Sequence, residues 1–209
     1  MTDLVFYTHP MSRGRTARWM LEEVGQPYDT VILAFEASMK SPDYLAINPM
    51  GKVPAIKHGD TVVTETAAIC AYLADAFPEA GLAPPLGDER RGPYFRWFFF
   101  AAGPIEAVIT GKAMNLLAPP EKKRMAGYGS YDETVDAIEQ AVRGGRYLCG
   151  DSFTAADLYV GALIGWGLAF KLLPDRQSFT DYVARLEARP AYQRAMQIDD
   201  DARMQLEKA

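Results

Sequence analysis

The chain has 209 residues, of which 49% are hydrophobic and 23% charged, and its formal net charge is -5 at pH 7. This balance is too apolar for extended disorder, and the basic residues are scattered among acidic ones, which argues against a nucleic-acid partner. No apolar run reaches the roughly 18 residues of a membrane span, and no basic, signal-like stretch opens the chain. We therefore expect a folded cytoplasmic protein.

The first segment of the chain predicts a βαβ unit. Residues 4–7 (LVFY) are typical of a buried strand, and residues 16–23 place apolar side chains at helical spacing. Gly25 ends this helix as a C-terminal glycine should, and residues 28–33 follow as a second strand.

The next segment predicts two further strands and a helix. VPAIKHG and TVVTE are short strands separated by the turn residues Gly59 and Asp60. The second strand runs directly into a helix over residues 66–76, which Pro78 ends. The order of this half is therefore β-α-β followed by β-β-α.

The composition changes at EAGLAPPLG, a stretch rich in Gly and Pro that is typical of a linker. Beyond it the patterns are helical, over residues 90–108, 154–170 and 179–188 and over a segment 121–142 that has a glycine-rich middle. We predict a small α/β domain over 1–79, a linker over 80–87 and an all-α domain over 88–209.

The cysteines and histidines indicate no metal site. Cys70 and Cys149 are far apart, and His9 and His58 are the only histidines, so neither a structural zinc site nor a CxxC pair is available. We expect both cysteines to be packing residues, because a free cysteine behaves as a small buried hydrophobe.

Three places could bind a ligand. The turn HPMSRGR brings the Ser12 hydroxyl to a helix N-terminus, where unpaired N–H groups favour an anion. Pro54 enters a strand after Val53, so the Val53 backbone is either open to an extended peptide or part of a tight turn. Glu65 and Thr66 open the next helix and suit an ammonium and a carboxylate, or else simply cap that helix.

Four segments, in this order and spacing, resemble the soluble glutathione transferase superfamily in a bacterial-like form: RGRTARWMLEEVGQPY, SPDYLAINPMGKVPAI, VVTETAAICAYLADAFP and FTAADLYVGALI. The resemblance implies a thioredoxin-like N-terminal domain followed by an all-helical C-terminal domain. It also implies glutathione as cosubstrate, a homodimer and no metal.

Carried over residue by residue, the resemblance assigns the glutathione contacts. Val53 pairs through its backbone with the cysteinyl part, and Pro54 is cis. Glu65 and Thr66 hold the γ-glutamyl amine and carboxylate. Two lysines compete for the glycyl carboxylate, of which Lys52 is the stronger candidate and Lys40 the weaker.

The implied chemistry is activation of the glutathione thiol. Lowering a thiol pKa of about 8.5 by ~2 units requires about 2.7 kcal/mol of stabilisation of the thiolate. Ser12 could donate a hydrogen bond, Arg13 could act through its charge, or backbone N–H groups could act unaided. Thr8 is a further hydroxyl, whereas Tyr7 lies too early, on the strand.

The helical domain supplies the remaining predictions. Thr154 and Asp157 form a capping box with a role in folding. Phe99 and Met114, with Met11 of the first domain, are candidates to line a pocket for a small apolar electrophile. A glutathione-dependent peroxidase or reductase and a non-catalytic protein-binding relative are the alternatives to a detoxifying transferase.

Overall fold

The computed structural model describes residues 3–208, and within them a sheet of four strands forms in the order β2-β1-β3-β4. The strands are β1 (Leu4–Thr8), β2 (Asp29–Ile32), β3 (Ala55–His58) and β4 (Thr61–Thr64). β1 is parallel to β2 and antiparallel to β3, which is antiparallel to β4. The predicted β-α-β, β-β-α order is confirmed.

Three helices alternate with or follow these strands along the chain: α1 (Gly14–Val24), α2 (Pro42–Leu45) and α3 (Thr66–Ala76). The apolar face predicted for α1 is buried, and Gly25 ends the helix with a left-handed φ of 72°. That φ is one that glycine adopts without steric cost.

The strand register decides which loops share an edge of the sheet. Tyr7 pairs with Ala55, and Ala55 pairs with Thr64 on its other side. The end of β1, the start of β3 and the end of β4 therefore meet at one edge, which we call the ligand edge. The turn after β1, the segment before β3 and the start of α3 all lie there.

The second half of the chain is helical, as predicted, and within residues 83–187 no strand forms. Arg91–Phe100 (α4) continues through a π-helical turn that contains Pro104 into α5 (Glu106–Met114). The predicted helix over 90–108 thus runs further, as two helices. The others are α6 (Tyr131–Arg143), α7 (Ala155–Ala169) and α8 (Gln177–Glu187).

A last helix, α9 (Pro190–Leu206), was not predicted. Its buried residues are Ala191, Ala195 and Asp199, so it has no broad apolar stripe; its start signal was Pro190 at the first helical position. Among the described residues, 3–82 and 188–208 form one compact unit, and Ala83–Glu187 form another. Our division at residues 80–87 stays a prediction, but α9 groups with the first unit because it packs against α1.

The predicted capping box at the start of α7 is present and extends beyond the helix. The Asp157 carboxylate accepts from the Thr154 N–H at 2.9 Å and from its hydroxyl at 2.8 Å. It also accepts from the Leu148 N–H and the Tyr182 hydroxyl, each at 2.7 Å. One fully buried carboxylate thereby joins α7, α8 and the loop before α7.

None of the helices formed by residues 3–208 combines the length and apolarity needed to cross a membrane.

Candidate functional site

Ser12 closes the turn between β1 and α1. Its hydroxyl donates to the His9 carbonyl at 2.7 Å and accepts from the Gly14 N–H at 2.9 Å. The side chain therefore satisfies one of the unpaired N–H groups at the start of α1. Its proton is engaged with the His9 carbonyl and must change partner before Ser12 can donate to a ligand.

His9 holds the same turn as a neutral side chain. It is 6% exposed, and its Nδ1 accepts from the Met11 N–H at 3.1 Å, which assigns the ring proton to Nε2. Burial lowers the pKa of His9, which favours this uncharged form. His9 was not predicted as a site residue, although its place in the turn HPMSRGR was a signal.

Gly14 and Thr8 are in close contact beneath the turn. Thr8 is fully buried, and its Oγ1 finds no hydrogen-bond partner among residues 3–208. A Cβ built on Gly14 would overlap this oxygen and lie 3.0 Å from Ser12 Oγ. The turn therefore requires glycine at this position.

We expect Gly14→Ala to lower the free energy of unfolding by about 1–3 kcal/mol, because the new methyl group would overlap the buried Thr8 hydroxyl and crowd the Ser12 hydroxyl. Urea unfolding measures the change. Gly92→Ala is the matched control, since a Cβ at Gly92 in α4 would meet no atom within 4 Å. Equal stability of the two variants would contradict the account, and Thr8→Ala combined with Gly14→Ala should recover part of the loss.

The start of α1 is electropositive. Arg13 occupies the N-cap position, and the first turn of the helix contains no acidic residue. The helix macrodipole adds a partial positive charge at the same end. The geometry therefore suits an anion at this turn.

The segment before β3 is fixed by two side chains that were not predicted as site residues, those of Tyr44 and Asn48. The Lys52 carbonyl accepts from the Tyr44 hydroxyl at 2.6 Å and from Asn48 Nδ2 at 2.8 Å. The following Val53–Pro54 peptide bond is cis, as the resemblance implies. Burial raises the pKa of Tyr44 to about 12, so it remains a donor.

The Val53 backbone is open to a ligand. Among residues 3–208, neither its N–H nor its C=O has a hydrogen-bond partner. A backbone left unpaired at the start of a strand can accept an extended peptide. The interpretation of this segment as a tight turn only is therefore less favoured.

Both candidate lysines lie at the loop that leads to Val53. Lys40 Nζ donates to the Gly51 carbonyl at 2.9 Å and to the Met50 carbonyl at 3.3 Å. Lys52 is in that loop, and its side chain is exposed. The loop therefore presents two ammonium groups near the open backbone, one of them tied to backbone carbonyls.

Glu65 has an unusual backbone. It precedes α3 with φ 69° and ψ 121°, and its side chain makes no capping hydrogen bond to the helix. A non-glycine residue in such a region costs about 1–3 kcal/mol and occurs preferentially at functional sites. Thr66 is the first residue of α3, so the alternative in which Thr66 is the N-cap does not match the structure.

The side chains predicted to meet an electrophile are exposed. Met11 in the turn is 58% exposed, Phe99 in α4 is 75% exposed, and Met114 at the end of α5 is 60% exposed. Their assignment to one pocket stays a prediction.

Both cysteines are buried, and burial raises their thiol pKa values, that of Cys149 to about 11. Neither is suited to act as a thiolate nucleophile at neutral pH. Residues 3–208 also bring together no group of three side chains able to hold a metal ion.

Comparison with known proteins places both halves of the chain in one family. Residues 11–76 match the glutathione S-transferase N-terminal domain, and residues 94–190 match the glutathione S-transferase C-terminal domain. Glutathione S-transferase GstA of Escherichia coli O157:H7 is 30% identical over 161 residues, which cover 75% of this chain and 78% of the relative.

Solved structures agree with this match. A glutathione transferase from Methylococcus capsulatus superposes with a TM-score of 0.78 at 30% identity, covering 94% of this chain and 98% of that one. A sphingomonad glutathione S-transferase complexed with glutathione gives a TM-score of 0.75 at 25% identity with the same coverage.

Proposed function

The chain belongs to the glutathione S-transferase superfamily, and we propose that it activates the glutathione thiol as a thiolate and transfers it to a small, partly apolar electrophile. The observation that carries this proposal is the unpaired Val53 backbone, which lies at the same sheet edge as the N-termini of α1 and α3. One open strand start and two helix N-termini suit a short anionic peptide.

Each part of glutathione has a partner at the ligand edge. The Val53 N–H and C=O would pair with the cysteinyl unit as an added strand. Glu65 would bind the γ-glutamyl ammonium, and Thr66 with the α3 N-terminus would bind its carboxylate. Lys52, with Lys40 as the weaker candidate, would meet the glycyl carboxylate. In this arrangement the thiol points to the turn that contains Ser12.

Three groups can stabilise the thiolate at that turn. A charge-assisted hydrogen bond from Ser12 contributes about 1.5–3 kcal/mol, and the α1 dipole up to ~1 kcal/mol. Arg13 adds positive charge at the helix start. The Ser12 hydroxyl donates to the His9 carbonyl in the structure. To donate to the thiolate, it would exchange this neutral acceptor for a charged one, which forms the stronger hydrogen bond.

A glutathione-affinity column followed by titration of the bound thiol tests the proposal. We expect retention of the protein and a bound-thiol pKa well below the ~8.5 of a free thiol. Failure to bind would contradict any glutathione-dependent activity. Binding with an unchanged thiol pKa would favour the non-catalytic relative. Turnover of peroxides through an enzyme-linked disulfide would contradict the conclusion that neither buried cysteine acts as a nucleophile.

Ser12→Ala should raise the pKa of the bound thiol by about one unit while changing glutathione affinity only a few-fold, because the hydroxyl acts on the sulfur. Ultraviolet titration of the thiolate measures the first effect and calorimetry the second. Ser12→Thr keeps the hydroxyl and serves as the control. An unchanged thiol pKa in Ser12→Ala would transfer the role to Arg13 or the backbone N–H groups.

Further assignments belong to the same proposal. The exposed Met11, Phe99 and Met114 are candidates to contact the electrophile. A homodimer, a cytoplasmic location and a role in detoxification remain predictions. Size-exclusion chromatography with light scattering tests the first of them.

A further inference from the structure

Within residues 3–208, four ion pairs join α1 to α9 and to its N-cap residue Arg189. The pairs run in opposite directions along the two helices, at 2.9 Å for Arg15–Asp200, 2.8 Å for Arg18–Asp199, 3.1 Å for Glu22–Arg194 and 2.6 Å for Glu23–Arg189. The last helix of the chain therefore lies antiparallel along the helix that begins at the ligand edge.

Three of these pairs have a structural explanation. Arg18 and Asp199 are 2% and 0% exposed, and Arg18 also donates to the Tyr28 hydroxyl, so this pair anchors α9 in the fold. Glu22 and Glu23 lie in the last turns of α1, far from the ligand edge.

Arg15 differs because it also contacts the turn. Its Nη1 donates to Asp200 at 2.9 Å and to the Pro10 carbonyl at 3.4 Å, and its Nη2 lies 3.1 Å from Met196 Sδ. Pro10 follows His9, whose carbonyl holds the Ser12 hydroxyl. The guanidinium therefore ties the turn that presents Ser12 to the side of α9.

Without a counter-charge, the Arg15 guanidinium would be in an unfavourable position. A positive charge in the first turn of a helix opposes the macrodipole, and Arg15 is only 26% exposed there. Asp200 compensates that charge from α9, so the two residues form one unit. A planar guanidinium can bridge a carboxylate and a carbonyl at once, which a lysine cannot reproduce with the same geometry.

We propose that Arg15, held by Asp200, is a positioning residue for thiolate formation: it fixes the Pro10 carbonyl and with it the turn that supplies Ser12 and the α1 N–H groups. This inference rests on the proposed function. It makes α9 part of the thiol-activating apparatus, although none of its residues needs to touch glutathione.

Two substitutions separate positioning from a direct effect of charge. Arg15→Gln removes both the tether and the positive charge, whereas Asp200→Asn weakens the tether and removes the carboxylate charge that is hydrogen-bonded to Arg15, with Asp199 still nearby. Positioning requires that both raise the pKa of the bound thiol. A direct charge effect requires that Asp200→Asn lower the pKa of the bound thiol, because the less compensated Arg15 cation would stabilise the thiolate further.

We expect Arg15→Gln and Asp200→Asn each to raise the bound-thiol pKa by about half a unit, with a two- to fivefold fall in kcat/KM below that pKa, the scale of a half-exposed ion pair. Arg194→Gln is the matched control, because it breaks a comparable pair at the far end of α1. It should leave the thiol pKa unchanged. Arg15→Lys should raise the bound-thiol pKa less than Arg15→Gln does, but should not restore the wild-type value.

Amide hydrogen exchange in the glutathione-free protein supplies an independent measurement. We expect faster exchange of the Met11 and Gly14 amides, which the turn protects, in Arg15→Gln but not in Arg194→Gln. Three results would overturn this inference and leave the proposed function standing. They are an equal shift of the bound-thiol pKa in Arg194→Gln, a lower bound-thiol pKa in Asp200→Asn, and an unchanged bound-thiol pKa and amide exchange in Arg15→Gln. A wild-type protein that fails to lower the thiol pKa would overturn the proposed function and the inference with it.

Discussion

Asp157→Ala should lower the free energy of unfolding by about 3–5 kcal/mol, because it leaves several buried hydrogen-bond donors without their acceptor. The carboxylate accepts from the N–H groups of Leu148 and Thr154 and from the hydroxyls of Thr154 and Tyr182. Urea or thermal unfolding measures the loss, and Asp157→Asn, which keeps the shape and one acceptor, should show an intermediate value.

The chain contains its own control in a second capping box. Ser130 and Glu133 cap α6 with the same reciprocal geometry, and Glu133 accepts from the Ser130 N–H at 2.9 Å. That side chain is 55% exposed, so water replaces the lost bonds in Glu133→Ala and the cost should be only about 0.5–1 kcal/mol. Equal losses at the two boxes would show that burial of Asp157 is not the cause.

Glu65→Gly should bind glutathione roughly 30- to 150-fold more weakly than the wild type and yet be more stable than it. Glycine adopts the φ of 69° without penalty, so the free energy of unfolding should rise by up to about 1 kcal/mol. The substitution removes the charge-assisted bond to the γ-glutamyl ammonium, worth about 2–3 kcal/mol. Calorimetry of binding and urea unfolding measure the two effects on the same sample.

Glu65→Gln separates the two causes. It keeps a side chain with an acceptor at the same backbone position and loses only the charge, so binding should weaken less, by about fivefold, with stability unchanged. A Glu65→Gly protein with wild-type affinity would remove Glu65 from the site. A less stable Glu65→Gly protein would contradict the cost assigned to its backbone.

The local features of the fold were predictable because short patterns carry their physical causes with them. The spacing of apolar residues, with a period of 2 or 3.6, predicted the strands and most helices. Gly25 and Pro78 predicted helix ends, and Thr154 with Asp157 predicted a capping box. The change from an α/β half to a helical half followed from the loss of strand patterns after the Gly- and Pro-rich stretch.

The candidate site was predictable only in part. Val53, Glu65 and Ser12 were identified as residues at strand or helix starts, and the sheet register brings those starts to one edge. The partners that define their chemistry were not identified. The Ser12 hydroxyl binds a carbonyl three residues earlier, and Tyr44 and Asn48 fix the peptide before Val53.

By itself, the sequence determined the order of elements, the capping residues and the residue types available at the ligand edge, because these depend on neighbours along the chain. Only the tertiary structure decided that α9 runs along α1, that Arg15 meets Asp200, and that Glu65 takes a left-handed φ. Residues 15 and 200 are separated by most of the chain, and no local periodicity encodes a pair formed by packing. The physical reason is that ion pairs and strained backbones are imposed by distant contacts, which the strand and helix patterns do not specify.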